Sequence, residues 1–156
     1  MPDTRERGVV AVTSTRTMPI EHTRVLPAVW EIKNIERCEV KADAVEVTKE
    51  TERRGSYRVR GHFAGVPWRG QFFYELNPKG FHSTNALHPR KGTTISGGFV
   101  VEPVEPDSCR VVHYEQYRLP LCFRPFRWPI ALYLRWSMRK ELRDLERLVV
   151  GANGAV

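Results

Sequence analysis

Three cysteines in 156 residues, at positions 38, 109 and 122, are too few and too scattered for a disulfide framework or a four-cysteine zinc site. The five histidines, His22, His62, His82, His88 and His113, never fall in an HxxxH or HExxH spacing, so no metal site is expected. GxGxxG, GxxxxGK[ST] and GxSxG are also missing, which removes the signatures of nucleotide binding and of α/β-hydrolase chemistry. No cofactor is expected. No apolar run approaches the ~18 residues that a membrane span needs. The opening MPDTRERG leads into no apolar segment, so no signal peptide is expected and a cytoplasmic location is the default.

What is present is the composition of an ordinary globular chain, 41% hydrophobic and 28% charged, of a size that fits one domain. The net charge is +7 with a pI near 9.7, which raises the question of an acidic partner. The imbalance is local. Between Arg110 and Arg147 there are nine Lys/Arg against four acids.

The run VVAVTSTRTM after Gly8 is rich in β-branched residues and predicts a strand. Next, IEHTRVLPAVWEIKNIERCE carries apolar residues at 25, 26, 29, 30, 32 and 35, predicting one or two short helices broken at Pro27. Alternation returns in ADAVEVTKET. A meander follows: SYRVRGHF, WRGQFFYEL, FHSTNAL, TTISGGFVVEP and CRVVHYEQYRL, separated by turn signals AGVP, NPKG, HPRKG and VEPDS. Gly97-Gly98 inside a strand pattern predicts a bend or bulge that lets the sheet curl. Pro120, Pro125 and Pro129 then stop the sheet. From Ile130 the apolar positions 130, 134, 138, 142, 145 and 149 trace one helical stripe, with Glu141, Asp144 and Glu146 expected among the arginines of the solvent face.

The predicted order is a strand, small helices, six antiparallel strands and a long amphipathic helix. A sheet with one apolar face needs a cover, and the helix has a matching stripe. The expected fold is α+β, a helix-grip in which a seven-stranded curved antiparallel sheet wraps around a long C-terminal helix, with two short helices after the first strand.

On these anchors, the first strand, AVWEIKNIERCEVKADAVEV at 28–47, and the last strand with its helix, the chain resembles the START/SRPBCC superfamily, in particular its polyketide cyclase/dehydrase and lipid-transport branch. The segment at 28–47 is similar to the family's helix containing VW, followed by an acidic-Ile-Glu step and a VEV strand. Asn34 stands where the family commonly has an acid, and the usual Trp-Pro between the small helices is missing. The resemblance implies a single START/SRPBCC-like ligand-binding domain over residues 8–149, with flexible tails at 1–7 and 150–156. It also implies a hydrophobic cavity between sheet and helix, as in members that bind lipids, sterols, polyketides or quinones; some members catalyse cyclisation or dehydration.

In CRVVHYEQYRL the set Val111, His113, Glu115, Tyr117, Leu119 opposes Arg110, Val112, Tyr114, Gln116, Arg118. The arginines favour placing the second set in water, which turns His113 and Glu115 inward, about 7 Å apart along the strand; with the opposite parity the pair would be surface decoration. In a greasy pocket His113 would act as a base or orient a carbonyl, and burial would raise the Glu115 pKa so that it donates a proton. The plainer reading is a pair of mutually satisfied polar groups. Ser83 and Asn85 add candidate hydrogen bonds, and Tyr57, Trp68, Phe72, Tyr74, Phe99, Tyr117, Leu134 and Met138 are candidate walls for a ligand. His62 and His82 are expected in solvent, and Cys109 and Cys122 as buried structural thiols.

For FRPFRW, at 123–128, two readings stay open: aromatics that fold inward beside an ordinary solvated helix face, or peripheral contact of Phe123, Phe126 and Trp128 with an anionic lipid interface. Nucleic acid is disfavoured, because acids interrupt the basic helix face and Tyr133 and Trp136 lie near its apolar flank. The expected function is binding, transport or sensing of a hydrophobic small molecule such as a lipid, quinone or isoprenoid, or aromatic polyketide. Two alternatives stay open: a polyketide cyclase/aromatase or dehydratase using His113 and Glu115, and a non-catalytic partner-binding module.

Overall fold

The structure is a computed structural model and describes residues 8–85 and 93–152. The turn expected at HPRKG, with His88, lies outside the described residues. Seven strands form one antiparallel sheet: β1 (Val9–Met18), β2 (Ala44–Lys49), β3 (Arg54–Phe63), β4 (Val66–Asn77), β5 (Gly80–Thr84), β6 (Thr94–Glu105) and β7 (Ser108–Arg118). Their spatial order is β1-β7-β6-β5-β4-β3-β2, so the first two strands are the sheet's edges. Between them run α1 (His22–Trp30), a 3-10 turn (Ile32–Asn34) and α2 (Ile35–Cys38). A second 3-10 segment (Leu121–Phe126) leads into α3 (Arg127–Gly151), which extends two residues past the expected end. This is the helix-grip architecture.

The β3–β4 hairpin turns on Ala64 (φ 49°) and Gly65 (φ 84°), two consecutive left-handed residues that match the twist of the flanking strands. Pro27 does not break α1. It sits exposed inside the helix, which ends instead after Trp30, where Glu31 becomes extended. In a helix this short, burial of Val25, Leu26 and Val29 outweighs the one backbone bond that a proline removes.

Gly97 and Gly98 do not form a bulge either. Pairing runs through them without a shift, Gly97 opposite Glu115 and Gly98 opposite Tyr114, and the irregularity lies at Pro103/Glu105. Glycine is needed there for close approach: a Cβ on Gly98 would sit 2.0 Å from the Phe81 carbonyl oxygen.

The helix stripe is buried as its spacing predicts, with Leu134, Met138, Leu142, Leu145 and Val149 almost without exposure and Ile130 half-buried. Leu134 and Met138 pack with Val10, Val12, Tyr117 and Leu119. Leu142, Leu145 and Val149 join a larger cluster containing Met18, Val111, Tyr57, Phe72 and Phe99. Two polar residues interrupt that stripe, Ser137 and Glu141, both fully buried. The expectation of Glu141 on the solvent face is therefore wrong, and its burial organises the site. Of the cysteines, Cys38 and Cys109 are buried, but Cys122 is exposed in the segment before α3.

Candidate functional site

The sheet curves away from the start of α3 and leaves a cavity of about 410 Å³. Its walls are aromatic and aliphatic: Tyr57 from β3, Trp68 and Phe72 from β4, Phe81 from β5, Ile95 and Phe99 from β6, Tyr117 from β7. Tyr57 stacks on Phe72 with centroids 5.3 Å apart, and Trp68 meets Phe72 edge-on. Phe123 and Ile130 also border it, at the entrance to α3.

Tyr57, Trp68, Phe72, Asn85, Phe99, His113, Glu115 and Tyr117 thus come together around one space. Tyr74, Leu134 and Met138 do not border it. Tyr74 is buried in the core beside Tyr57, and the two helix residues pack on Val10 and Val12 of β1 and on Tyr117 and Leu119. Asn85 borders the cavity, but its amide is engaged elsewhere. Its Nδ2 donates to the Thr93 carbonyl at 3.0 Å and its Oδ1 accepts from Ile95 N–H at 2.7 Å, which fastens the end of β5 to β6. Ser83 is buried and hydrogen-bonded to the Tyr57 hydroxyl at 3.0 Å. His62 and His82 are exposed.

The polar end of the cavity is a cluster of charges. Strand alternation turns His113 and Glu115 inward, at 1% and 7% exposure. Lys41 reaches the same place from the α2–β2 connection and is 3% exposed. That connection is held by its contacts with the sheet. Trp68 Nε1 donates to the Lys41 carbonyl at 2.9 Å, and a Cβ on Gly61 would lie 1.7 Å from that oxygen. Only glycine in β3 lets the backbone pass so near.

Lys41 Nζ lies 2.6 Å from Glu141 Oε1 and 3.2 Å from Glu115 Oε1. His113 Nε2 is 3.4 Å from Glu115 Oε1, and its Nδ1 is 3.2 Å from Glu141 Oε2. That last pair is close but not aligned, since neither atom makes a geometrically acceptable hydrogen bond. Val40 N–H donates to Glu141, and the Tyr117 hydroxyl donates to Glu115 Oε2 at 2.9 Å. Phe99 stacks on the His113 ring with centroids 4.1 Å apart.

Two cations and two carboxylates therefore form a buried, charge-balanced tetrad. Burial alone would push the His113 pKa down, but Glu115 and Glu141 outweigh it and lift it to about 9. Burial would raise Glu115, as expected from sequence, yet Lys41, His113 and Tyr117 together hold it well below the usual carboxylate range. Lys41 is held well above its ordinary value, because its carboxylate neighbours outweigh its desolvation. His113 is thus a charged donor and Glu115 a charged acceptor. The acid and base forms expected for them are each the disfavoured one.

Sequence reasoning missed Lys41, Glu141 and Glu39. Glu141 carried a signal: it falls seven residues after Leu134 and four before Leu145, on the apolar stripe. Glu39 and Lys41 lie in CEVKADA, which has no periodicity to read.

No protein-family model matches the sequence, and no curated protein matches it. Solved structures do match the fold. A helix-grip protein defined by a sheet, a gripping helix and a cavity between them is the class to which the geometry points, and it is the fold of the START superfamily. A Thermus thermophilus protein superposes with a TM-score of 0.77 at 20% identity, covering 91% of this chain and 98% of that one. A START superfamily protein from Mycobacterium smegmatis gives 0.69 at 12% identity, covering 91% and 98%. The Zhui aromatase/cyclase from a Streptomyces species gives 0.66 at 11% identity, covering 92% and 93%. At these identities the likeness is one of fold. Among the described residues no helix is long and apolar enough to cross a membrane.

Proposed function

We propose that this protein binds one largely apolar small molecule in the cavity between sheet and α3, with its polar end directed at the Glu39–Lys41–His113–Glu115 side. The observation that carries this is the cavity itself, about 410 Å³ with mostly aromatic and aliphatic walls and charged groups at one end, the ordinary form of a small-molecule site. Fold relatives that include an aromatase/cyclase and a START superfamily protein support the same reading. Binding is preferred to cyclisation or dehydration by His113 and Glu115, because both are locked in opposite charges. A module that only docks partners would have no use for such a space.

Native mass spectrometry of the purified protein, with titration of the neutral apolar fluorophore N-phenyl-1-naphthylamine, tests this. A co-purifying ligand or saturable 1:1 probe binding, weakened by Ile95→Trp, is expected. A folded protein that takes up neither would refute it.

We further propose that the cavity loads at an anionic bilayer. Phe123, which borders the cavity, is 50% exposed, and in the same stretch of chain Leu121, Phe126, Trp128, Leu132 and Trp136 are exposed by 52% to 74%. From Gln116 to Lys140 there is no acid, while Arg118, Arg124, Arg127, Arg135, Arg139 and Lys140 supply charge. Apolar side chains among cations suit an anionic lipid surface. Flotation with phosphatidylglycerol vesicles should recover the protein, phosphatidylcholine vesicles should not, and Phe126→Asp with Trp128→Glu should abolish recovery without lowering Tm. Equal recovery on both vesicles would overturn it.

A further inference from the structure

One carboxyl at the polar end is not used by the tetrad. Glu39 closes α2, with its backbone N–H donating to the Ile35 carbonyl, and its side chain borders the cavity. A carboxyl oxygen of Glu39, a ring nitrogen of His113 and a carboxyl oxygen of Glu115 all lie within 4.8 Å of one another. Among the described residues no side-chain hydrogen bond or ion pair holds the Glu39 carboxyl. The charged and titratable groups around it are Lys41 from its own connection, Tyr57 from β3, Arg69 at the cavity edge of β4, His113, Glu115 and Tyr117 from β7, and Glu141 from α3.

Lys41 and His113 already balance Glu115 and Glu141, and Arg69 is exposed at the cavity edge, so an ionised Glu39 adds one negative charge that no cation among the described residues pairs with directly. Burial pushes its pKa up to about 7; Lys41 and His113 oppose the rise, and Glu141 and Glu115 reinforce it. In the free protein a proton can supply the missing charge. We propose that Glu39 receives the head group of the bound ligand, and that this head group is the ammonium of an apolar amine.

The neighbouring charges favour an ammonium over the other candidates. A divalent metal held by Glu39, His113 and Glu115 would sit against Lys41 Nζ, which already lies 3.2 Å from Glu115 Oε1, and would compete with His113 Nε2 for the same oxygen. A carboxylate ligand would add a second uncompensated anion to a desolvated site. A neutral alcohol would bind but draw nothing from the unbalanced charge. An ammonium brings one positive charge and three donors, which Glu39 and the remaining lone pairs of Glu115 can accept.

The inference rests on the cavity-binding reading, and one calorimetric series separates the two. Octylamine, 1-octanol and octanoate are titrated into wild type, Glu39→Gln and Glu39→Asp. At about pH 8 the amine is expected to bind about tenfold more tightly than the alcohol, and octanoate most weakly, from one charge-assisted pair in a partly desolvated site. The amine-to-alcohol ratio should shrink at about pH 5, where Glu39 is protonated, fall to about one in Glu39→Gln, and be partly kept in Glu39→Asp. Octanoate binding as well as the amine, or a ratio unchanged by Glu39→Gln, overturns the head-group assignment while leaving the cavity reading intact. Failure of all three to bind the folded wild type removes both.

Discussion

Replacing Glu141 by Gln keeps the side chain's shape and one oxygen for the Val40 N–H but removes a charge from the interior. In the native protein Glu141 lies 2.6 Å from Lys41 Nζ and 3.2 Å from His113 Nδ1, and it is completely buried. The variant leaves two cations facing Glu115 alone. Removing one partner of a buried ion pair costs about 3–5 kcal/mol, chiefly for the charge left behind. His113 limits the damage, because it can give up its proton. Its pKa rises from 6.5 to about 9 in the fold, equivalent to roughly 3 kcal/mol of interaction shared between Glu115 and Glu141. A raised pKa contributes stability that is complete below about 6.5 and is lost as pH climbs through about 9. The penalty of Glu141→Gln should therefore be greatest near pH 6, at about 3 kcal/mol or more, and decline toward pH 9 as the imidazole neutralises. It should not vanish there, since Lys41 stays charged. Adding Lys41→Met leaves His113 against Glu115, a balanced pair, and should recover at least about half of the loss. Urea unfolding followed by tryptophan fluorescence measures all of these. A penalty below about 0.5 kcal/mol at pH 6, a penalty that grows with pH, or a double variant weaker than Glu141→Gln would refute the balanced tetrad.

Glu39→Gln should change the pH dependence of stability in a defined direction. The native state holds the Glu39 proton more tightly between about 4.5 and about 7, so the wild type loses stability as pH rises through that window, and the variant should lose about 1–2 kcal/mol less after discounting for partial exposure. Gly98→Ala should lower stability by about 2 kcal/mol or more in thermal unfolding, because its Cβ meets the Phe81 carbonyl and backbone cannot move aside cheaply. Pro27→Ala, on the exposed side of α1, should raise stability by about 1 kcal/mol by restoring a helical N–H, with part of the gain offset by a freer unfolded chain. Unchanged Tm in either of the last two variants would count against the local geometry described for it.

Much of the fold was legible because it follows from two short periods. Strand alternation with arginines at both ends turned His113, Glu115 and Tyr117 inward, and steps of three and four from Ile130 to Val149 placed the covering helix. What escaped was set by contacts distant in sequence. The Lys41 backbone is fixed by Gly61 and the Trp68 indole, twenty residues and more away, and nothing in CEVKADA announces that. Without Lys41, burial is the only visible influence on Glu115, and burial alone points its pKa in the wrong direction. Pro27 misled for a related reason: a local breaker rule was overridden by the burial of three side chains around it. Gly97-Gly98 was noticed for the right cause, an unusual backbone need, but the need was close strand approach rather than a bulge.

The tetrad's effect on chemistry follows from its balance. A buried ion cluster adds little net stability over an apolar replacement, so its presence beneath a cavity calls for another consequence. Here the ion pairs fix four side chains from the α2–β2 connection, β7 and α3 in one arrangement, and they keep the His113 ring flat against Phe99. Because every member already has an opposite charge, a ligand arriving in the cavity finds little there to neutralise or to exchange a proton with. Glu39 differs on both counts, since among the described residues no hydrogen bond or ion pair holds its carboxyl and burial pushes its pKa up to about 7. A rigid, balanced cluster therefore concentrates the cavity's discrimination into a single carboxyl. In the proposed reading, charge at Glu39 selects the head group, and the shape of the aromatic walls selects the rest of the molecule.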